Sequence, residues 1–229
     1  REVGPAARGA GPPELVIRQV SNLDQCHFVR EQMAEHMRGK DYPQEFPCRS
    51  KCVLLFQTMN GVDVLLFGMY VYEYGHNAPA PNKRRVYISY LDSVNYMTPR
   101  PYRTKVYHEI LIGYLDYVKR RGFHTAHIWA CPPLKGDDYI IYCHPEGQKT
   151  PKDDRLRKWY WDMLELARAE GIVHEVVNMY DEYFEAPGAT VADLPYLEGD
   201  YWTGEAENIV KELRAAGDGG GGGGAAGGR

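Results

Sequence analysis

The sequence predicts an α/β (α+β) domain with a central mixed β-sheet, a βαβ core and helices packed around it. Three observations carry that prediction: a hairpin signal at Asn60-Gly61, a strand–helix–strand succession from Arg84 to Cys131, and an amphipathic helix from Asp153. A hairpin makes an antiparallel pair, whereas a crossover helix between strands makes a parallel one, so together they give a mixed sheet.

In chain order, Lys51–Gln57 (KCVLLFQ) and Val62–Tyr74 (VDVLLFGMYVYEY) are β-rich apolar runs joined through a residue pair that tolerates positive φ. Arg84–Val94 (RRVYISYLDSV) alternates Val86, Ile88 and Tyr90 with Tyr87, Ser89 and Leu91, as a strand between two packed layers would. A helix is expected from about Thr104, where Val106, Tyr107, Ile110, Leu111, Tyr114 and Val118 share a stripe that stops near Arg121-Gly122. HTAHIWAC (His124–Cys131) then reads as a strand ended by Pro132-Pro133, lying parallel to the preceding one with a right-handed crossover. After Trp202 the sequence offers a short amphipathic helix and then glycine. Residues 1–13 and 215–229 are low-complexity and are expected to be disordered tails flanking one domain over residues 14–214.

Composition bounds the function. The chain has 229 residues, 44% hydrophobic and 12% aromatic, enough for one sizeable core, and 18 tyrosines make that core rich in amphipathic rings. A formal net charge of −4 does not resemble the basic footprint of a duplex-DNA binder, and no window approaches the ~20 apolar residues of a membrane span. Five scattered cysteines, odd in number, imply no disulfide framework and suit a reducing compartment. Cys131, Cys143 and His144 lack the paired spacing of a zinc module, so no metal is expected. Arg1 in place of an initiating methionine reads as a piece excised from something longer.

The helix DDRLRKWYWDML (Asp153–Leu164) places three aromatics in a row. Leu156, Trp159, Tyr160, Met163, Leu164 and Ala167 fall on one stripe at helical spacing, so Trp161 points elsewhere and a phenol goes inside. A buried phenol needs a hydrogen-bond partner or a task. Ligands of such sheets gather at the carboxyl ends of strands beside helix starts. Here those places hold Leu91–Val94, Arg103 and Thr104, with Arg155 opening the aromatic helix and Trp129 at the end of the second parallel strand. Their convergence would form an aromatic cleft with phosphate clamps, suited to a nucleotide-like cofactor with a reactive tail. No G-x-S-x-G or H-E-x-x-H pattern occurs.

The strings RRVYISYLDSV, RTKVYHEILIGYLDYVKRRGF, HIWACPP, GDDYIIYCHP, RLRKWY and LPYLEGDYW resemble, in order and spacing, the catalytic domain of the CREB-binding-protein type histone acetyltransferases and their plant relatives, from about Phe46 to Trp202. The resemblance implies transfer of acetyl from acetyl-CoA to lysine side chains of histone tails and other lysine-rich proteins. It further implies nuclear location, chromatin and transcription regulation, and partners such as transcription factors reached through flanking domains. It assigns Leu91, Asp92, Ser93, Arg103, Thr104, Thr150, Arg155 and Trp159 to CoA, Tyr160 to general acid catalysis, Trp129 to the lysine pocket, and Ser50, Ser89, Tyr90 and Glu198 to the peptide side. Thr150 stands where the family carries isoleucine, Asp153-Asp154 stand where it is more basic, and Ser50 replaces a threonine. The family domain also continues past the region matching Trp202, so an incomplete domain is expected, and an acyl-CoA-binding module without turnover is the second reading.

Overall fold

A computed structural model describes residues 14–134 and 136–219. Five strands form one sheet in the order β1 (Leu15–Phe28), β2 (Glu45–Met59), β3 (Val62–Tyr74), β4 (Arg85–Ser93) and β5 (Thr125–Ile128). The first four are antiparallel neighbours, and β5 joins β4 in parallel. The mixed sheet and the βαβ core are therefore as the sequence predicts. The β2–β3 turn places Asn60 at φ 51° and Gly61 at φ 78°, the positive pair a two-residue hairpin loop requires.

Helix α1 (Glu31–His36) follows β1, α2 (Arg103–Arg120) joins β4 to β5, and α3 (Asp153–Ala169), α4 (Met179–Tyr183) and α5 (Tyr201–Gly219) follow. Both faces of the sheet are covered. On one, Val71, Val86 and Ile88 pack with Leu111, Leu115, Tyr160 and Met163 of α2 and α3. On the other, Phe46, Cys48, Tyr74 and Tyr87 pack with Met33, Met37, Leu194, Tyr196, Leu197 and Val210. The alternation of Val86 and Ile88 with Tyr87 thus serves two cores. Asn82, wholly buried, pins the second cover by exchanging both of its amide atoms with the Tyr196 backbone, at 2.6 and 2.7 Å.

Sequence periodicity assigns nothing to residues 14–50, yet β1 is fourteen residues long. It is an edge strand in which Leu15, Ile17, Val20 and Leu23 are all exposed, so neither face imposes the alternation by which strands are recognised. β5 is shorter than HTAHIWAC suggests, ending at Ile128. Helix α5 runs on to Gly219, into the segment expected as a tail, whereas residues 1–13 and 220–229 lie outside the described residues.

A buried ionic cluster ties α2 to the sheet. Lys51 Nζ donates to both carboxylate oxygens of Glu73 at 2.8 Å, with side chains 5% and 2% exposed. Arg121 Nη1 and the Tyr114 hydroxyl also donate to that carboxylate, at 2.9 and 3.3 Å. Four donor contacts match the capacity of one carboxylate.

Candidate active site

The parallel β4–β5 ladder covers only Arg85–Ile88 against Thr125–Ile128. On its other side β4 pairs Tyr90 with Tyr70 and Ile88 with Val71, leaving Ser89 as an extra residue in a β-bulge. Ser89 Oγ holds the bulge by donating to the Tyr70 carbonyl at 3.2 Å. β4 continues to Ser93 without β5 beside it, while β5 ends and Trp129 follows. A bulge bends its own strand, so the two strands part at the point where the bulge sits, and the backbone of Ser89–Ser93 on that side is left without a strand partner.

The loop after β5 folds back onto the end of β4, and Asp92 holds it there. Its carboxylate accepts from the backbone N–H groups of Ser93, Ile140 and Ile141 at 2.8, 3.1 and 2.9 Å, and from His144 Nε2 at 2.6 Å. Its acceptor capacity is then full, so what this position can offer a ligand is backbone. Gln148 spans the same junction, donating to the Ser93 carbonyl at 2.7 Å and accepting from Asn95 N–H at 2.9 Å. Gly68 leaves room for the loop: a Cβ there would lie 2.8 Å from Leu54 Cδ2 and 2.9 Å from Ile140 Cγ2. Tyr139 stacks on Tyr90 at 5.1 Å.

His144 also meets Asp138 through Nδ1, at 3.1 Å. Partial burial works against the charged ring, but the hydrogen bonds and charges of Asp92 and then Asp138 outweigh it and hold the imidazole pKa above its ordinary value. A folded value raised above the unfolded one contributes stability that is complete below the unfolded pKa, about 6.5, and is lost as pH rises through the folded value. Amide exchange of residues 138–148, corrected for intrinsic chemistry, should therefore accelerate as pH rises above that point. In His144→Ala the pH dependence should disappear; an unchanged profile would remove His144 as the latch.

Helix starts supply the cations. Arg103 is the first residue of α2 and half-buried, Thr104 follows it, and Arg155 is exposed in the first turn of α3. Neither arginine belongs to an ion pair among the described residues, whereas Arg49, Arg120, Arg121 and Arg157 each do. Asp153, a concern for an anion at this place, faces Arg157 at 3.9 Å. Further along α3, Trp161 is 51% exposed while Tyr160 is 9% exposed, as the helical stripe predicts. Trp159 packs edge-on to the Tyr160 ring at 5.1 Å and to the His108 ring at 4.6 Å. His108 Nε2 is buried without a hydrogen-bond partner. Burial alone pushes the Tyr160 phenol well above its ordinary range, so the proton stays on its oxygen throughout neutral pH. Tyr160 shares one core with Ile88, and Leu91, Ile128, Ala130 and Trp159 pack against that core, which puts the phenol in the layer beneath the parting strands.

Residues 6–218 match the family described as the histone acetyltransferase domain KAT3. The chain belongs to this family. It is 55% identical to histone acetyltransferase HAC1 of Arabidopsis thaliana over 90% of its length, and 52% identical to the probable histone acetyltransferase HAC-like 2 of Oryza sativa subsp. japonica over 91%. Protein cbp-1 of Caenorhabditis elegans is 47% identical over 86% of the chain. The chain spans only 13%, 15% and 10% of the length of these three relatives.

In this KAT3 domain the residues expected from sequence fall into three places. Leu91, Asp92 and Ser93 occupy the free end of β4, with Ser89 and Tyr90 just before them. Arg103, Thr104, Arg155, Trp159 and Tyr160 lie on α2 and α3, and Thr150 is exposed just before α3. Ser50, buried in β2, and Glu198, in a turn before α5, belong to the other side of the sheet. Trp129, which follows β5, is 43% exposed, and a ring neighbour of it is Tyr201 at 6.3 Å. Both His144 nitrogens face carboxylates, and no three His, Cys, Asp or Glu side chains gather as a metal site would among the described residues. His27 and Gln148 were invisible as site residues, and His144 was weighed only as a metal ligand, because only tertiary contact brings them to Glu198 and to the end of β4.

Proposed function

We propose that this chain is the catalytic core of a lysine acetyltransferase that uses acetyl-CoA and acts on histone tails and other lysine-rich proteins. The observation that carries the reading is a protonated, buried phenol on α3, in the core beneath the free end of β4, within a KAT3 domain. The residues fit the cofactor's chemistry: two arginines at helix starts, in no ion pair among the described residues, suit phosphates, and the backbone of Tyr90–Asp92, which has no strand beside it where β5 has ended, suits an amide-bearing arm.

Acetyl-CoA, when bound, supplies an acyl group activated as a thioester. Arg103 and Arg155 hold the anionic end, with Thr104 and Thr150 beside them, and Trp159 gives apolar cover. Trp129 borders the passage for the lysine stem. Tyr160 keeps its proton until negative charge develops on sulfur, then donates it from Oη. Glu198, Tyr90, Ser89 and Ser50 line the peptide side, where a carboxylate draws in a cationic chain. The substrate amine must shed a proton, which costs about 4–5 kcal/mol at neutral pH from a reference pKa near 10.4, so no residue holding it as ammonium would speed the reaction. Nuclear location and transcription-factor partners belong to the whole protein in this reading.

Transfer of labelled acetyl from acetyl-CoA to a histone-tail peptide tests the activity. CoA should also raise the melting temperature, and Arg103→Ala or Arg155→Ala should weaken that protection by roughly 10- to 150-fold in CoA affinity, as expected for a charged hydrogen bond. A second reading, CoA binding without turnover, is favoured by Thr150, an exposed residue with less apolar surface than the isoleucine of the resembled family; it predicts protection without transfer.

A further inference from the structure

β1 is mostly exposed, yet one of its side chains is not. His27 is 4% exposed, and both of its ring nitrogens have partners on other elements. Nδ1 lies 2.9 Å from the hydroxyl of Tyr74, which is wholly buried at the end of β3, and Nε2 lies 3.3 Å from Glu198 Oε2. The Tyr72 ring meets the imidazole edge-on at 4.5 Å, and Cys48 Sγ is 3.7 Å from Nε2. Burial raises the Cys48 thiol to about 12 and raises the Tyr72 and Tyr74 phenols, so Glu198 is the charged group that faces the ring. A nitrogen lone pair facing a carboxylate would be repelled, so the proton sits on Nε2; Nδ1 is then an acceptor and the Tyr74 hydroxyl donates to it. Burial outweighs Glu198 in lowering the imidazole pKa, which favours this neutral tautomer over the cation.

Glu198 itself is 57% exposed at the tip of a tight turn, closed by Asp200 N–H donating to the Leu197 carbonyl at 3.1 Å with Gly199 at φ 80°. That turn abuts β4: a Cβ on Gly199 would lie 3.8 Å from the Tyr90 hydroxyl. A flexible glutamate at a turn tip would lose side-chain entropy on meeting a ligand, unless something inside the fold already holds it.

We infer that His27 is a positioning residue for the peptide substrate: the Tyr74 hydroxyl and His27 imidazole hold the Glu198 carboxylate beside Tyr90, aimed at a cationic residue of the incoming chain. This rests on the reading of Glu198 as part of the peptide side. The imidazole touches neither lysine nor cofactor. It sets the orientation of a carboxylate whose other oxygen has no hydrogen-bond partner among the described residues and can receive an ammonium or guanidinium.

The test compares His27→Leu, His27→Gln, Glu198→Gln and the His27→Leu/Glu198→Gln pair in the full chain. Acetyl transfer is followed to a lysine-rich peptide, with peptide binding measured by fluorescence anisotropy. His27→Leu should raise the peptide KM about 3- to 5-fold with kcat and the acetyl-CoA KM unchanged, the size expected for an exposed ion pair. His27→Gln, whose amide can still donate to Glu198, should recover most of the loss, and His27→Leu should add nothing once Glu198 is glutamine. An equal effect of His27→Leu in both backgrounds, or loss of kcat and melting temperature with KM unchanged, would overturn the proposal. Imidazole 15N NMR reads the relay without turnover: an Nε2–H tautomer whose shift responds to Glu198→Gln supports it, and an Nδ1–H tautomer sinks it. Absence of transfer by the unmodified chain would count against the acetyltransferase reading instead, leaving anisotropy and NMR to decide the role of His27.

Discussion

Replacing Tyr160 by phenylalanine is expected to lower acetyl transfer by about 10²–10⁴ while the fold and CoA affinity remain. The ring is what packs: it is 9% exposed, in one core with Ile88, Leu111 and Met163, and Trp159 meets it edge-on. Phenylalanine keeps that volume and loses only the hydroxyl, which is not among the side-chain hydrogen bonds that hold α2 and α3 to the sheet. A phenol serving structure would show a cost in melting temperature, whereas one serving as an acid shows it in turnover. Thiolate expulsion is sensitive to proton donation, and burial keeps this proton in place across the working pH range. Rates within twofold of the unmodified chain, with folding checked by near-ultraviolet circular dichroism, would remove Tyr160 from the mechanism.

The second large effect concerns stability. Glu73→Gln leaves Lys51, 5% exposed, facing an amide in place of the carboxylate that receives it at 2.8 Å. Removing one partner of a buried pair typically costs about 3–5 kcal/mol because the other charge stays desolvated. Arg121 is 40% exposed and can turn to water, so it adds less than its 2.9 Å contact suggests. Lys51→Met combined with Glu73→Leu removes both buried charges at once and should be less destabilising than Glu73→Gln alone, despite two changes. Urea unfolding of these two variants beside the unmodified chain checks this. A loss under about 1 kcal/mol for Glu73→Gln would mean that Lys51 finds water or Tyr117, whose hydroxyl is 3.4 Å away, as a sufficient substitute.

The two effects separate what each face of α2 and α3 does. Glu73 and Lys51 anchor the C-terminal half of α2 through Tyr114 and Arg121. Tyr107 holds its start, where its hydroxyl donates to the Leu66 and Val94 carbonyls at 3.1 and 3.3 Å. A helix fixed at both ends presents its N-terminus, with Arg103 and Thr104, at a constant place beside the end of β4.

Much of this was legible from residue order, wherever a local pattern has one cause. Asn60-Gly61 specifies its turn because few residues accept positive φ twice in succession. The stripe through Leu156, Tyr160, Met163 and Ala167 shows which side of α3 is buried, and the alternation through Val86, Tyr87 and Ile88 reveals a strand between two layers. β1 escaped because an edge strand exposed on both faces has no hydrophobic period. The Ser89 bulge escaped because it is a mismatch of registers between two strands, and one strand alone has no register. Asp92 reads in sequence as a ligand contact, but its carboxylate is filled by groups up to 52 residues away. The contact of Trp129 with Tyr201, 72 residues further on, escaped for the same reason, since no local spacing records it.

By itself, then, the sequence determined the element types, their order, the mixed sheet, the buried phenol and the family to which the motifs belong, because each is encoded by neighbours along the chain. Only the tertiary structure decided where β4 and β5 part, which carboxylates remain free, and that a histidine in an unrecognised strand stands behind Glu198. Those are outcomes of competition between distant groups for the same hydrogen bonds and the same buried volume, and no local spacing records who wins.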